Sequence, residues 1–266
     1  MEAPILVTGG TGTLGKLIVP RLCEAGRTVR VLSRHPGDPT PGVEYVSADL
    51  ATGEGVDDAV AGVETILHLA GSSKGDEDKA RHLVEAAQRA NVRHLVYISV
   101  VGADRIPVVS GIDRAMFGYF RSKLLAEQIV AESGIPWTTL RATQFHDLVF
   151  MTAQQMAKMP VVPAFAGVRF QPIDAAEVAA RLVDLALGPP AGLVAEMGGP
   201  RVYEMKDLVR DYLQAFGKHR PILPIKGPGR AARAVRAGAN LALDGAVGRR
   251  TWEDFLAARA GAPGGD

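Results

Sequence analysis

The segment Pro4 to Gly15, PILVTGGTGTLG, constrains the fold more than any other stretch of the chain. Ile5, Leu6 and Val7 form a short apolar run bounded by turn residues. That predicts a strand buried on both faces of a parallel sheet. Gly10, Gly12 and Gly15 follow with the spacing G-x-G-x-x-G, and Gly9, Gly12 and Gly15 with the related spacing G-x-x-G-x-x-G. The physics is the same in both registers. Without Cβ atoms the chain turns tightly, its backbone comes close to a pyrophosphate, and helix packs closely on strand. Lys16 to Glu24 reads as a helix with Leu17, Ile18, Leu22 and Cys23 facing inward. Its N-terminus offers unpaired N–H groups and the positive end of a dipole to phosphates. A second strand starts at Thr28 and completes the context such a turn requires. Gly9, Gly10, Thr11, Gly12, Thr13, Leu14 and Gly15 are therefore the candidate phosphate cradle.

The residues after the second strand, Thr28 to Ser33, select the dinucleotide. A site for NAD places a carboxylate there to hold the ribose 2′-OH. This chain has Ser33, Arg34 and His35, with no carboxylate before Asp38. Arg34 can hold a 2′-phosphate through charge-assisted hydrogen bonds, and Ser33 can add a hydroxyl. NADP(H) is the expected cofactor, with NADPH preferred over NADH. Pro36 to Pro41 reads as a turn and Val43 to Ser47 as the third strand. Asp49, followed by Leu50, either accepts from the adenine amino group or caps the next helix. Thr65 to Leu69 is the fourth strand. It opens into Ala70, Gly71, Ser72 and Ser73, small residues that let a ligand approach. His68 reads as a core histidine. Asp76 to Ala90 is a long helix ending at Asn91, and Arg93 to Ser99 is the fifth strand.

Strands alternate with helical segments throughout this half. That predicts an α/β fold, a doubly wound parallel sheet of Rossmann type, with a small C-terminal substrate lobe. The chain reads as one NAD(P)-binding domain over residues 1–266. Its dinucleotide-binding part covers about residues 1–145, and its substrate-side lobe about residues 146–266. With 266 residues and 47% hydrophobic content the chain can build a sizeable core. A net charge of +1 gives no global pull toward nucleic acid or an anionic membrane. The start of the chain has no basic, apolar leader, and no window approaches a spanning helix, so a cytoplasmic protein is expected. The single cysteine, Cys23, reads as packing. The six histidines lack metal-ligand spacing, so no metal site is expected.

Ser99 falls at the C-terminal end of the fifth strand, the edge where ligands bind in open α/β sheets. Val100 to Gly118 reads as a loop. Tyr119 to Lys123 (YFRSK) then opens a helix to about Ser133, with Tyr119 and Lys123 four residues apart on one face. This spacing suits proton transfer. A tyrosine pKa near 10 must fall toward 7 for efficient transfer at neutral pH, which takes about 4 kcal/mol. A desolvated lysine ammonium and the oxidised nicotinamide ring, both positive, can supply that together. Ser99 can donate to a substrate carbonyl oxygen as negative charge grows on it.

At these residues the chain resembles the atypical or extended short-chain dehydrogenases/reductases, close to the NmrA-like group. The matching segments are Thr8 to Gly15, VLSR at Val31 to Arg34, ADL at Ala48 to Leu50, and VYISVVGAD at Val96 to Asp104. YFRSK at Tyr119 to Lys123, LRATQF at Leu140 to Phe145 and PIDAAEVA at Pro172 to Ala179 also match. The resemblance implies a carbonyl/alcohol oxidoreductase with Tyr119 as acid, Lys123 as its activator and Ser99 as orienting donor. The Asn-Ala-Gly signature of the family is Leu69-Ala70-Gly71 here, with no asparagine to complete a tetrad. The NmrA-like group also contains proteins that bind NADP without known turnover.

Trp137 to Arg141 is the sixth strand. Thr143 is a candidate contact with the nicotinamide end. Gln144, Phe145, His146 and Phe150 are candidate substrate contacts, with His146 equally readable as an ordinary hydrogen-bonded histidine. The apolar run from Leu148 to Phe165 either meets a greasy substrate or packs on the core. Further elements are a strand at Val168 to Ile173, a helix to Leu187 with Asp174 as N-cap, and a strand at Leu193 to Met197. Helices follow at Met205 to Phe216 and Trp252 to Ala258, and Gly261 to Asp266 is expected to fray. The basic stretch Lys218 to Arg236 reads as a solvated face. The expected reaction is NADPH-dependent reduction of a small apolar ketone, quinone or enone by a monomer or homodimer. The alternative is an NADP(H)-binding redox sensor or regulator without turnover. Sugar-nucleotide epimerisation is a weaker third reading, because no Arg and Lys cluster after residue 145 would hold a second pyrophosphate.

Overall fold

The computed structural model describes residues 3–35, 37, 40–72, 74–245 and 247–261. The expected fraying of 262–266, and part of the expected turn at 36–41, lie outside them. The first elements are β1 (Ile5–Thr8), α1 (Thr13–Glu24), β2 (Val29–Ser33), β3 (Val43–Ser47), α2 (Val56–Val60), β4 (Thr65–His68) and α3 (Asp76–Arg89). β5 (His94–Val100), α4 (Gly111–Glu132), β6 (Trp137–Ala142), α5 (His146–Met156), β7 (Val162–Phe165) and β8 (Arg169–Phe170) follow. The chain continues through α6 (Ala175–Leu187), β9 (Gly192–Leu193), β10 (Tyr203–Glu204), α7 (Met205–Ala215), β11 (Ile222–Ile225), α8 (Arg230–Arg236) and α9 (Trp252–Ala260).

Seven strands form one sheet in the order β3-β2-β1-β4-β5-β6-β9. The pairs β3–β2, β2–β1, β1–β4, β4–β5 and β6–β9 all run parallel. This is the doubly wound arrangement expected from the alternation of elements. β1 and β5 are buried along their whole length, as strands covered on both faces must be. Strand order reverses between β1 and β4, the place where ligands bind in open α/β sheets.

Two compact units divide the chain. The first takes residues through Ser99, Gly118–Arg141 and Ala176–Ala195, and so contains the sheet. The second takes Val100–Phe117, Ala142–Ala175 and the residues from Glu196 onward. No single boundary near residue 145 describes this division. In the first unit Leu6, Ile66, Leu83, Leu95, Tyr97, Ala126 and Val130 share one core. Arg141 of β6 and Glu127 of α4 form a buried, two-pronged ion pair at 3.0 and 2.6 Å. In the second unit Trp252, Phe255, Tyr212 and Phe150 build an aromatic core, with ring centroids 5.3–6.0 Å apart in three of its pairs.

The structure corrects several boundaries. α1 starts at Thr13 rather than Lys16, and it buries Leu14, Ile18 and Leu22, whereas Leu17 and Cys23 are half-buried. The loop expected over Val100 to Gly118 is helical from Gly111 onward. Its start is set by a reciprocal cap: Asp113 N–H donates to Ser110 Oγ (3.1 Å), and Ser110 N–H donates to Asp113 Oδ2 (3.2 Å). The strand expected at Val168 to Ile173 is only Arg169–Phe170, and that expected at Leu193 to Met197 is Gly192–Leu193. β7 and β11 were not anticipated, because each carries an internal proline. They pair in a sheet of two strands, both edges, where proline is tolerated. Among the described residues no helix is long and apolar enough to cross a membrane.

Two fully buried histidines make stability depend on pH. His68 stacks on Tyr97 with centroids 5.3 Å apart, and His146 packs against Trp252 and Phe255 at 6.1 and 5.2 Å. Burial lowers their pKa values to about 3 and about 4 respectively. An unfolded histidine titrates near 6.5, so below that pH the unfolded chain takes up protons that the folded chain refuses. Stability is therefore fully present above pH 6.5 and is lost as pH falls toward 4. For His146 the loss amounts to roughly 3 kcal/mol. Urea unfolding from pH 7 to 4.5 should show His146→Phe losing less stability than the unmodified chain. Parallel curves would remove the assignment.

Candidate active site

The site begins where β1 ends. Gly9 adopts φ +69°, and a Cβ on it would lie 2.8 Å from the Ala70 nitrogen. Gly9 O accepts from Gly12 N–H at 3.0 Å and closes the turn. A Cβ on Gly15 would lie 2.4 Å from the Gly10 backbone, so α1 can pack on the turn only as glycine. α1 has Gly12 as N-cap, no side-chain cap and no acidic residue in its first turn. Its first N–H groups are left to a ligand or to water.

Thr8 braces this turn against the end of β4. Its hydroxyl oxygen accepts from Leu69 N–H and Ala70 N–H, both at 3.2 Å. The hydroxyl hydrogen is then directed to His68 Nδ1, 2.7 Å away. His68 is thereby held as the Nε2–H tautomer.

A cavity of about 850 Å³ follows the C-terminal ends of β1, β2, β3 and β4. Of the residues expected to meet the cofactor, Gly9, Thr11, Gly12, Ser33, Arg34, Asp49, Leu50, Ala70 and Gly71 line it. Ser72, read as opening the strand end to a ligand, lines it too, as do His35, Lys74 and Lys79, which sequence reasoning did not assign. Gly10, Leu14 and Gly15 serve the packing behind the turn, and Thr13 is exposed at the start of α1. Arg34 is exposed and has no ion pair among the described residues. Arg30, by contrast, is tied to Glu44 at 2.8 Å. The Ser33 hydroxyl donates to His35 O at 2.8 Å and accepts from His35 N–H at 3.2 Å, so the proton it was expected to offer a 2′-phosphate is used locally. Asp49 Oδ1 accepts from Ala51 N–H at 2.8 Å in a local turn. It does not cap a helix, because α2 begins only at Val56, after Gly55.

Ser99, Tyr119 and Lys123 fall in the same unit as this cavity. Ser99 is 4% exposed, and its hydroxyl is buried with no partner among the described residues. Tyr119 lies two turns inside α4 and is 38% exposed. Lys123 is 4% exposed, with Nζ 5.0 Å from the Tyr97 ring centroid and 5.9 Å from that of Tyr119. Its charge goes elsewhere: Nζ lies 3.1 Å from Asp76 Oδ2 and 3.4 Å from Ile98 O.

Asp76 is the residue sequence reasoning missed. It is fully buried at the start of α3, where its Oδ1 accepts from Ser72 N–H at 2.8 Å. Its own N–H donates to Ser122 Oγ at 3.1 Å, which fixes α3 to α4 beside Lys123. In sequence it reads as an ordinary acid in a helix's first turn. Burial pulls the Lys123 ammonium down, and Asp76 opposes that pull. Burial, and then Asp76, push the Tyr119 phenol up to about 12. Both influences, burial first and the Asp76 charge second, run against the expected lowering of the phenol.

The candidate contacts after β6 belong to the second unit. The Thr143 hydroxyl donates to Gln171 O at 2.5 Å, so its donor is already used. Phe145 is the N-cap of α5, and His146 N–H donates to Ile173 O at 3.0 Å. His146 and Phe150 are part of the aromatic packing described above. Gln144 lines a separate, small cavity.

Removing one partner of a buried ion pair costs about 3–5 kcal/mol, because the other charge is left uncompensated. Asp76→Asn should lose about that much in urea unfolding, and Asp76→Asn with Lys123→Met should lose less than the two single losses added. Strict additivity would show that the two side chains are not coupled.

Comparison with known proteins agrees with this geometry. A family model described as NAD(P)H-binding matches residues 9–187. The chain is 29% identical over 219 residues to a (4-alkanoyl-5-oxo-2,5-dihydrofuran-3-yl)methyl phosphate reductase of Streptomyces griseus subsp. griseus, covering 80% of this chain and 74% of that one. It is 29% identical over 245 residues to a ceramide reductase of Caulobacter vibrioides, covering 85% and 74%. Its fold matches a crystal structure of an NADPH-dependent quinone oxidoreductase of Escherichia coli complexed with NADPH. That match has a TM-score of 0.77 and 20% identity, over 96% of this chain and 99% of that one. Matched by that family model over more than half its length, the chain belongs to the NAD(P)H-binding family, in keeping with the NmrA-like resemblance of its motifs.

Proposed function

We propose that the chain is an oxidoreductase that reduces an apolar ketone, quinone or enone with NADPH. The reading is carried by one observation: a buried lysine, a tyrosine one helical turn before it and an unpartnered buried serine hydroxyl share a unit with the dinucleotide cavity. Its relatives' names point the same way, to reductases and a quinone oxidoreductase. The residues present suit a phosphorylated dinucleotide. Gly9 lets the turn pass against the Ala70 backbone, where a side chain would not fit, and Arg34 at the end of β2 has no ion pair among the described residues.

When bound, the dinucleotide supplies hydride to the substrate. The free backbone N–H groups at the start of α1 would hold its pyrophosphate, and Arg34 its 2′-phosphate. Ser99 Oγ–H donates to the carbonyl oxygen and stabilises the charge that develops there. Tyr119 gives its phenolic proton to that oxygen as the C–H bond forms. The resulting phenolate needs positive charge nearby, which Lys123 provides to the extent that Asp76 releases it. The firm Lys123–Asp76 pairing also favours a second reading, an NADP(H)-binding redox sensor without turnover.

Equilibrium binding tests the cofactor assignment. Arg34→Ala should weaken NADPH at least tenfold and leave NADH within twofold, and equal loss for both would refute a 2′-phosphate contact. For the chemistry, NADPH consumption at 340 nm is followed with a carbonyl and quinone panel. Tyr119→Phe should bind NADPH normally and lose turnover at least 100-fold. Unchanged turnover in Tyr119→Phe moves the acid elsewhere. A silent panel, together with partner binding that differs between NADPH and NADP⁺, supports the sensor.

A further inference from the structure

Residues 148–173 and 212–243 contain eight Lys and Arg and no Asp or Glu, in a chain whose net charge is only +1. The structure brings parts of these two acid-free stretches together. β7 and β11 pair in parallel, with Ile222 beside Val162 and Leu223 beside Pro163, so the residues leading into both strands gather at one end of the two-stranded sheet. Val162 N–H donates to Pro221 O at 2.9 Å and ties the two lead-ins together. Lys158 lies on the approach to β7, and Lys218, His219 and Arg220 on the approach to β11, all exposed. Lys158, Lys218 and Arg220 have no ion pair among the described residues. An open hollow of about 710 Å³ is lined by Lys218, His219, Arg220 and Arg210, the last paired with Asp207 at 2.7 Å.

The same end of the sheet exposes apolar side chains: Met159 is 37%, Val161 43% and Leu223 54% exposed. Successive residues of a strand face opposite ways. Val162 and Ile222 pack in the core of this unit, so Val161 and Leu223 face away from it. The exposed apolar groups are aliphatic or thioether, whereas surfaces for single-stranded nucleic acid add aromatic rings on which bases stack. Cations beside protruding apolar side chains are the combination by which a protein lies on an anionic bilayer. The charges meet the headgroups, and the apolar groups enter the boundary with the acyl chains. We propose that this end of the two-stranded sheet docks on an anionic lipid surface, with Lys158, Lys218 and Arg220 on the headgroups and Met159, Val161 and Leu223 inserted between them. The surface uses only residues of the second unit and stands apart from the reductase reading, so either can fail without the other.

The test uses the full chain without dinucleotide, floated with vesicles of phosphatidylcholine alone or with about one-third phosphatidylglycerol. The unmodified chain should bind the anionic vesicles and not the neutral ones, and binding should weaken as salt rises. Lys218→Glu with Arg220→Glu should reduce the affinity about tenfold or more. Arg81→Glu with Arg93→Glu makes the same charge change on the first unit and should leave the affinity within about twofold. Val161→Ser with Leu223→Ser should reduce it about fivefold. Each of these positions is exposed, so no buried contact is lost. Failure to float with the anionic vesicles, or an equal loss in the Arg81 and Arg93 variant, would overturn the proposal. So would an unchanged affinity in the Val161 and Leu223 variant, which would mark a site for any polyanion, nucleic acid included.

Discussion

α1 and the turn before it approach so closely that neither Gly10 nor Gly15 has room for a side chain. A Cβ on Gly10 would lie 2.7 Å from Val31 Cγ1, and one on Gly15 only 2.4 Å from the Gly10 backbone. This contact sets the position of α1 against β1 and β2. Gly9 adds a second constraint, since its positive φ aims the chain past Ala70, where the Thr8 hydroxyl gathers two backbone N–H groups. The C-terminal ends of β1 and β4 are thus held together at the point where strand order reverses. The cavity of about 850 Å³ follows from that junction.

The second organising feature is the buried pair of Lys123 and Asp76. An ammonium and a carboxylate removed from water each carry a desolvation cost of several kcal/mol, offset by their mutual attraction and by further hydrogen bonds. Ile98 O serves the lysine and Ser72 N–H the aspartate. The carboxylate acts in two directions. It favours the charged lysine, and it disfavours a phenolate at Tyr119. Ser72 and Lys79, both in contact with Asp76, line the dinucleotide cavity. A ligand there meets the same hydrogen-bond network that holds the lysine.

How much was legible depended on the range of the interaction. The glycine spacing and the alternation of strands and helices are local patterns, and they read correctly to within a few residues. The start of α4 was also written locally, in the pair Ser110 and Asp113, but the glycine and proline content around it obscured the cap. β7 and β11 were hidden by Pro163 and Pro224, which are compatible with a sheet of two strands. Phe150 and His146 illustrate the opposite limit. An apolar or aromatic residue after β6 can face a ligand or a core, and only the positions of Tyr212, Trp252 and Phe255 show that these two are packed.

By itself, the order of residues determined the fold class and the glycine turn after β1, because backbone sterics and the period of apolar residues act over a few positions. It also marked Arg34 as a cation directly after β2, with no carboxylate before Asp38. Only the tertiary structure decided that Asp76 meets Lys123, that the Ser99 hydroxyl is buried without a partner among the described residues, and that Gln144 lines an apolar cavity. Those facts depend on contacts between residues far apart in the chain, or on the absence of a contact, and no spacing in the sequence encodes either.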